Sequence, residues 1–170
     1  MPLIEEQPTL LRGHVVAELR GPDGELKGRC EVDNLITSAG DLMYAQRGSG
    51  ASSPAAPTGI RLGTGSTAVA KSGAGAAIVT YLSGSNKAFD ATFPSVAAGV
   101  VTYKRTYAAG EATTGSAITE AVINNDTIAN DNATTATAAN TYARVLLTGI
   151  GSKGALDVLT ITWTHTFLGA

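Results

Sequence analysis

Between positions 159 and 167 the chain reads LTITWTHTF, an unbroken alternation of large residues and threonine. Leu159, Ile161, Trp163, His165 and Phe167 share one face of a strand; Thr160, Thr162, Thr164 and Thr166 share the other. A period of two is the signature of a strand buried on one side. The large set is expected in the core, where Trp163 alone would bury about 150–250 Å². His165 then serves as filler, and the threonines form a flat β-branched face suited to a neighbouring strand or subunit.

Other segments carry weaker versions of the same signal. In GHVVAELRGPDGELKGRCEV, strand-like runs at 14–19 and 26–32 flank Gly21-Pro22-Asp23-Gly24. Proline presets φ and glycine accepts positive φ, so the stretch predicts a β-hairpin. NLITSAGDLMYAQR predicts the one helix, near residues 38–47, capped by Thr37 or Ser38 with Asp41 in its first turn. Strands are expected at 59–62 and 78–82 around a Gly-rich bend, and KAFDATFPS reads as extended. GVVTYKRTY sets Val101, Tyr103, Arg105 and Tyr107 against Thr102, Lys104 and Thr106, and SAITEAVINND predicts a further strand. TIANDNATTATAANT is an Ala/Thr/Asn loop without the large side chains that fix a conformation. YARVLLTGI and LDVLTITWTHTF, joined through GSKGAL, are expected to close the fold as a hairpin.

The fold class that follows is mainly β: a sandwich or jelly-roll-like domain of six to nine short antiparallel strands with one short helix. Residues 13–170 read as a single β-rich domain. Residues 1–12 read as an extended N-terminal arm, because Pro2 and Pro8 oppose helix.

Composition narrows the function. The 170 residues are 44% hydrophobic but only 15% charged, with a net charge of −2, against about 25% charged in an average domain. Residues 1–47 hold 5 of the 12 basic and 8 of the 14 acidic side chains, so the remaining 123 residues are sparsely charged. A surface that plain suits one covered by a partner. There is no basic excess to hold nucleic acid, and no apolar run approaches the roughly 18–20 residues of a membrane span. Cys30 stands alone, so no internal disulfide forms, and the start lacks a secretory pattern; folding in a cytoplasm is expected.

The remaining polar residues offer a few candidate constellations. Gly65-Ser-Thr-Ala-Val-Ala-Lys71-Ser72 matches a phosphate-binding loop except for Ala70 in place of its second glycine, and SGAGAA is a poor helix start. His14, His165 and Cys30 have no zinc-site spacing. Asn124-Asn-Asp126 and Asn130-Asp-Asn132 are rich in oxygen but lack the spaced ligands and closing Glu of a calcium loop, and read as solvated. No serine lies in a nucleophile elbow. The expectation is a non-enzyme with no cofactor and no metal.

The order of segments carries a resemblance. DNLITSAGDLMYAQ, IRLGTGSTA, ITEAVI, YARVLL and LTITWTHTF, in that order, resemble a group of small tailed-bacteriophage virion proteins over about residues 15–167. In that group a hairpin leads to an N-x-x-T/V-x-x-G helix start, an I-x-L-G-T-G-x-T-A strand and turn, an I-x-E-x-G strand and a final L-x-V-x-W-x-I-x-F strand. This chain departs from the group in ITEAVI, which has Ala121-Val122 where Ala-Gly is usual, and in its longer Ala/Thr/Asn loop. The resemblance implies a virion structural protein, assembled in the host cytoplasm, that binds other virion proteins in symmetric copies. Within it, a capsid decoration or cement protein stabilising the head against the major capsid protein is preferred. The alternative is a tail, baseplate or fibre module whose 127–140 loop touches a receptor or glycan. Expected partner-binding residues are Leu3, Ile4, Leu10 and Leu11 of the arm and Thr160, Thr162 and Thr164 of the last strand; a trimer is the expected assembly.

Overall fold

Strand-forming alternation dominates the chain, and in the computed structural model, which describes residues 11–131 and 137–167, it produces nine antiparallel strands. These are β1 (Arg12–Arg20), β2 (Leu26–Ile36), β3 (Gly59–Gly63), β4 (Lys87–Ala88), β5 (Ser95–Ala97), β6 (Val100–Tyr107), β7 (Glu120–Asn124), β8 (Thr141–Leu146) and β9 (Val158–Thr166). They form one curled sheet in the order β4-β3-β7-β8-β2-β1-β9-β6-β5. The fold is mainly β with one short helix, α1 (Ser38–Gly48), as the pattern predicts. The two layers of the core are two halves of this single sheet, since residues of both halves share one buried cluster.

β2 joins the halves because it is long. Its first part pairs with β1 across the Gly21–Gly24 turn, where Gly24 takes φ +85°, and its end pairs with β8 through Leu35 and Ile36. In the β5-β6-β9-β1-β2 half, β1 and β9 alternate strictly and β6 more weakly. Val15, Ala17, Leu19, Leu159, Ile161, Trp163, Tyr103 and Tyr107 point inward and are buried, while the intervening residues of β1, β6 and β9 are mostly half-exposed. In the other half β3 and β7 are buried along their whole length. Such strands need cover on both faces. One face meets the core through Ile60, Leu62, Ala121 and Ile123. The other lies beneath the 64–81 segment.

The helix follows from its cap. Gly40 N–H donates to Thr37 Oγ1 at 3.1 Å, and Thr37 Oγ1 donates to the Thr141 carbonyl at 2.5 Å, so the helix start is tied to β8. Met43 enters the core.

Three expectations are corrected. The 78–82 strand is reduced to a single bridge between Tyr81 and Gly63, because the Val79 and Thr80 amides are taken by the Glu120 carboxylate and leave the ladder. β8 and β9 are not a hairpin: β8 pairs with β7 and β2, and β9 with β1 and β6. Their connection crosses between the halves instead, accepting backbone bonds from Thr114 N at Lys153 O and from Ile118 N at Gly151 O. The SAITEAVINND strand is confined to Glu120–Asn124.

Trp163 is fully buried and its Nε1 donates to Asn34 Oδ1 at 2.7 Å. Trp163→Ala is expected to cost about 3–5 kcal/mol through the cavity it opens, measured by urea unfolding; a melting point moved by only a degree or two contradicts this assignment.

Candidate functional site

Two surfaces merit description: the segment resembling a phosphate loop, and the outward face of β9. Both are set by which side of a strand a residue occupies.

Outside the core, β8, β7 and β3 line up Arg144, Val122 and Arg61 in one register row. Both arginines are fully buried, and a buried guanidinium needs a carboxylate beside it and hydrogen bonds to offset its lost hydration. Arg144 meets Glu120, also fully buried, with Nη2 at 2.7 Å and Nε at 3.3 Å from Oε2. Arg144 Nη1 donates to the carbonyls of Thr67 (2.9 Å) and Gly75 (3.1 Å). The Glu120 carboxylate in turn accepts the amides of Gly65 (3.0 Å), Val79 (3.1 Å) and Thr80 (2.9 Å). One ion pair therefore organises both ends of the 64–81 segment. Glycine is required where the segment passes closest: a Cβ on Gly63 or Gly65 would come within 2.5 Å of Glu120 Oε1.

This geometry explains the partial phosphate-loop match. Amides gathered around an anion are what such a loop provides, and here the anion is the protein's own carboxylate. Lys71 turns away to bond Asp41 at 2.6 Å on the surface. Residues after it make a four-residue 3-10 turn, Gly73–Ala76, rather than a helix.

Arg61 pairs with Asp126 at 2.7 Å and donates to the Asn130 carbonyl at 2.8 Å, with Tyr81 packed over its guanidinium. Asp131 accepts the Gly84 amide and the Tyr81 hydroxyl, and Asn86 Nδ2 donates to the carbonyls of Thr127, Ile128 and Asn130. Burial and Asp131 push the Tyr81 hydroxyl up to about 12. The 124–131 stretch, expected to be solvated, is thus tied down by side chains distant in sequence. Residues 132–136 lie outside the described residues. Among the described residues no three His, Cys, Asp or Glu side chains are arranged to hold a metal ion.

His165 sits in the core as expected, with Nδ1 bonded to the Tyr44 hydroxyl, which also meets Tyr103 Oη at 2.8 Å. Burial lowers its pKa to about 3 and raises that of Tyr44. His14, by contrast, lies half-exposed on the outer face between Asp33 (2.9 Å) and Glu31 (3.3 Å).

The predicted partner-binding residues divide. Thr160, Thr162 and Thr164 are half-exposed on the face of β9 turned from the core. They stand in register with Glu18, Val16 and His14 of β1 and with Thr106, Lys104 and Thr102 of β6. Leu11 is partly buried just before β1; Leu3, Ile4 and Leu10 lie outside the described residues. Sequence reasoning missed the pairing of Glu120 with Arg144 and of Arg61 with Asp126. The signal for Glu120, Arg144 and Arg61 was a charged residue inside an otherwise apolar strand, and the paired residues lie 24 and 65 positions apart in the chain.

Glu120→Gln leaves the Arg144 charge buried without its counter-ion and is expected to cost about 3–5 kcal/mol in urea unfolding. Adding Arg144→Met should cost less than the two single changes summed, as for coupled groups. His165 gives a pH test. Its folded-state pKa lies below the unfolded value near 6.5, so the unfolded chain binds more protons between about 3 and 6.5. Its contribution to stability falls as pH drops through that window, and His165→Phe should flatten the stability–pH curve there. No family model, curated protein or solved structure matches this chain.

Proposed function

We propose that this chain is a non-enzymatic structural protein of a tailed-bacteriophage particle. It binds other virion proteins in symmetric copies, with head decoration against the major capsid protein as the preferred role. The observation that carries the proposal is the outer face of β9 and its neighbours. Thr160, Thr162 and Thr164 with Val16, Thr102 and Thr106 make a broad, β-branched, half-exposed surface. A flat surface of this kind packs against another protein more readily than it encloses a small molecule.

A second support is where the resembling segments fall. Glycines of IRLGTGSTA pack on the glutamate of ITEAVI, and the arginine of YARVLL completes the same ion pair. The likeness therefore rests on residues that build one structural unit. Contacts repeated over a symmetric shell need less than the roughly 800 Å² per partner of a stable isolated pair. The tail or fibre reading keeps the 127–140 loop as the contact, and copy number separates the two.

The test is the number of copies per purified particle, by quantitative mass spectrometry. Hundreds are expected for head decoration; a few dozen or fewer would move the protein to the tail, and none would overturn the proposal.

A further inference from the structure

Four adjacent strands cross the outer face, β2, β1, β9 and β6, and their register fixes which side chains stand side by side. The middle row reads Glu31, Val16, Thr162, Lys104. The row on one side reads Asp33, His14, Thr164, Thr102; the row on the other reads Arg29, Glu18, Thr160, Thr106. Glu31, Asp33 and Glu18 stand on the β1–β2 flank, where Arg29 pairs with Glu31 at 2.5 Å and with Glu18 at 3.3 Å and leaves the acidic groups in excess in these rows, and the β6 flank carries Lys104. Among the described residues Lys104 has no ion pair; its ammonium lies 5.9 Å from the centre of the Phe93 ring.

We propose that two copies of this chain pack these faces together about a two-fold axis running along the strands between β1 and β9. This inference rests on the assignment of the face to partner binding and names the partner. An axis in that position reverses each row on its copy. Glu31 then faces Lys104 of the second copy, twice by symmetry, and Val16 faces Thr162. In the flanking rows Asp33 meets Thr102, His14 meets Thr164, Arg29 meets Thr106 and Glu18 meets Thr160. No charge faces a like charge. A shift of one strand to either side breaks the match between Glu31 and Lys104, so electrostatics selects the register as well as the pairing.

Shape agrees with charge. Aligned sheets pack about 10 Å apart, a spacing that threonine and valine side chains from both faces fill. With strands about 4.8 Å apart and alternate residues about 6.8 Å apart along each strand, the patch covers roughly 400 Å² on each copy. A stable isolated complex buries about 800 Å² per partner. The pair is therefore reversible in dilute solution and becomes populated where copies are concentrated, as on a symmetric particle.

The experiment is sedimentation velocity on the isolated 170-residue chain from micromolar to millimolar concentration, independent of any count on particles. A monomer–dimer equilibrium is expected. Lys104→Glu and Glu31→Lys should each weaken dimerisation at least tenfold, and the two exchanged together should restore it, while circular dichroism confirms that each variant folds. Lys104→Gln, which adds no new charge, should weaken the dimer to a smaller extent and serves if a reversal fails to fold. A chain that stays monomeric throughout, one that forms trimers, or a dimer unmoved by Lys104→Glu and Lys104→Gln would overturn the proposal. So would a dimer lost on removal of residues 1–10 alone, because the contact would then belong to the arm.

Discussion

The buried pair of Glu120 and Arg144 is the constraint on which the rest of this structure depends. Both groups are sealed from solvent, and two charges removed from water hold only when every lone pair and proton is used. Their remaining hydrogen bonds reach the backbone of residues 65, 67, 75, 79 and 80. A glycine- and alanine-rich segment that cannot order itself through its own side chains is thereby given a fixed path. That path covers the outside of β3, β7 and β8, which is why those strands are buried on both faces. The same demand forces glycine at positions 63 and 65, where the carboxylate leaves no space for a Cβ.

The two halves of the sheet thus solve different problems. One half is closed by its own chain: the 64–81 segment lies over it, and the Arg61–Asp126 pair pins the 124–131 turn at its side. The other half is closed on the inside only. There Trp163, Tyr103 and His165 pack against the helix through Tyr44, and the outside remains a threonine surface. A histidine held neutral among aromatic rings adds shape and one hydrogen bond to the core. His14, on the outer face between two carboxylates, is the one whose surroundings are charged. The division leaves the outer face of that half open to solvent.

Alternation decided most of what was legible from sequence. It identified β1, β2, β6 and β9, the inward set around Trp163, and the outward threonines, because a half-buried strand writes its environment in a period of two. The turn at Gly21–Gly24 and the Thr37 cap were equally local, each depending on one or two residues whose chemistry suits a single conformation. The expected hairpin of β8 and β9 failed for the complementary reason. Adjacency in sequence favours pairing, but β8 is drawn to β7 by the Glu120–Arg144 pair, and the 147–157 connection finds its own backbone partners near 114–118.

By itself, then, the sequence determined a mainly β chain, the positions of its half-buried strands, its one helix and the face each strand turns to the core, since all of these depend on near neighbours. Tertiary structure alone decided that the halves are one continuous sheet, that the phosphate-loop look-alike encloses a carboxylate, and that buried arginines at 61 and 144 have partners. Those outcomes depend on charges distant in the chain, and a buried charge is tolerated only where folding brings its counter-ion within hydrogen-bonding distance.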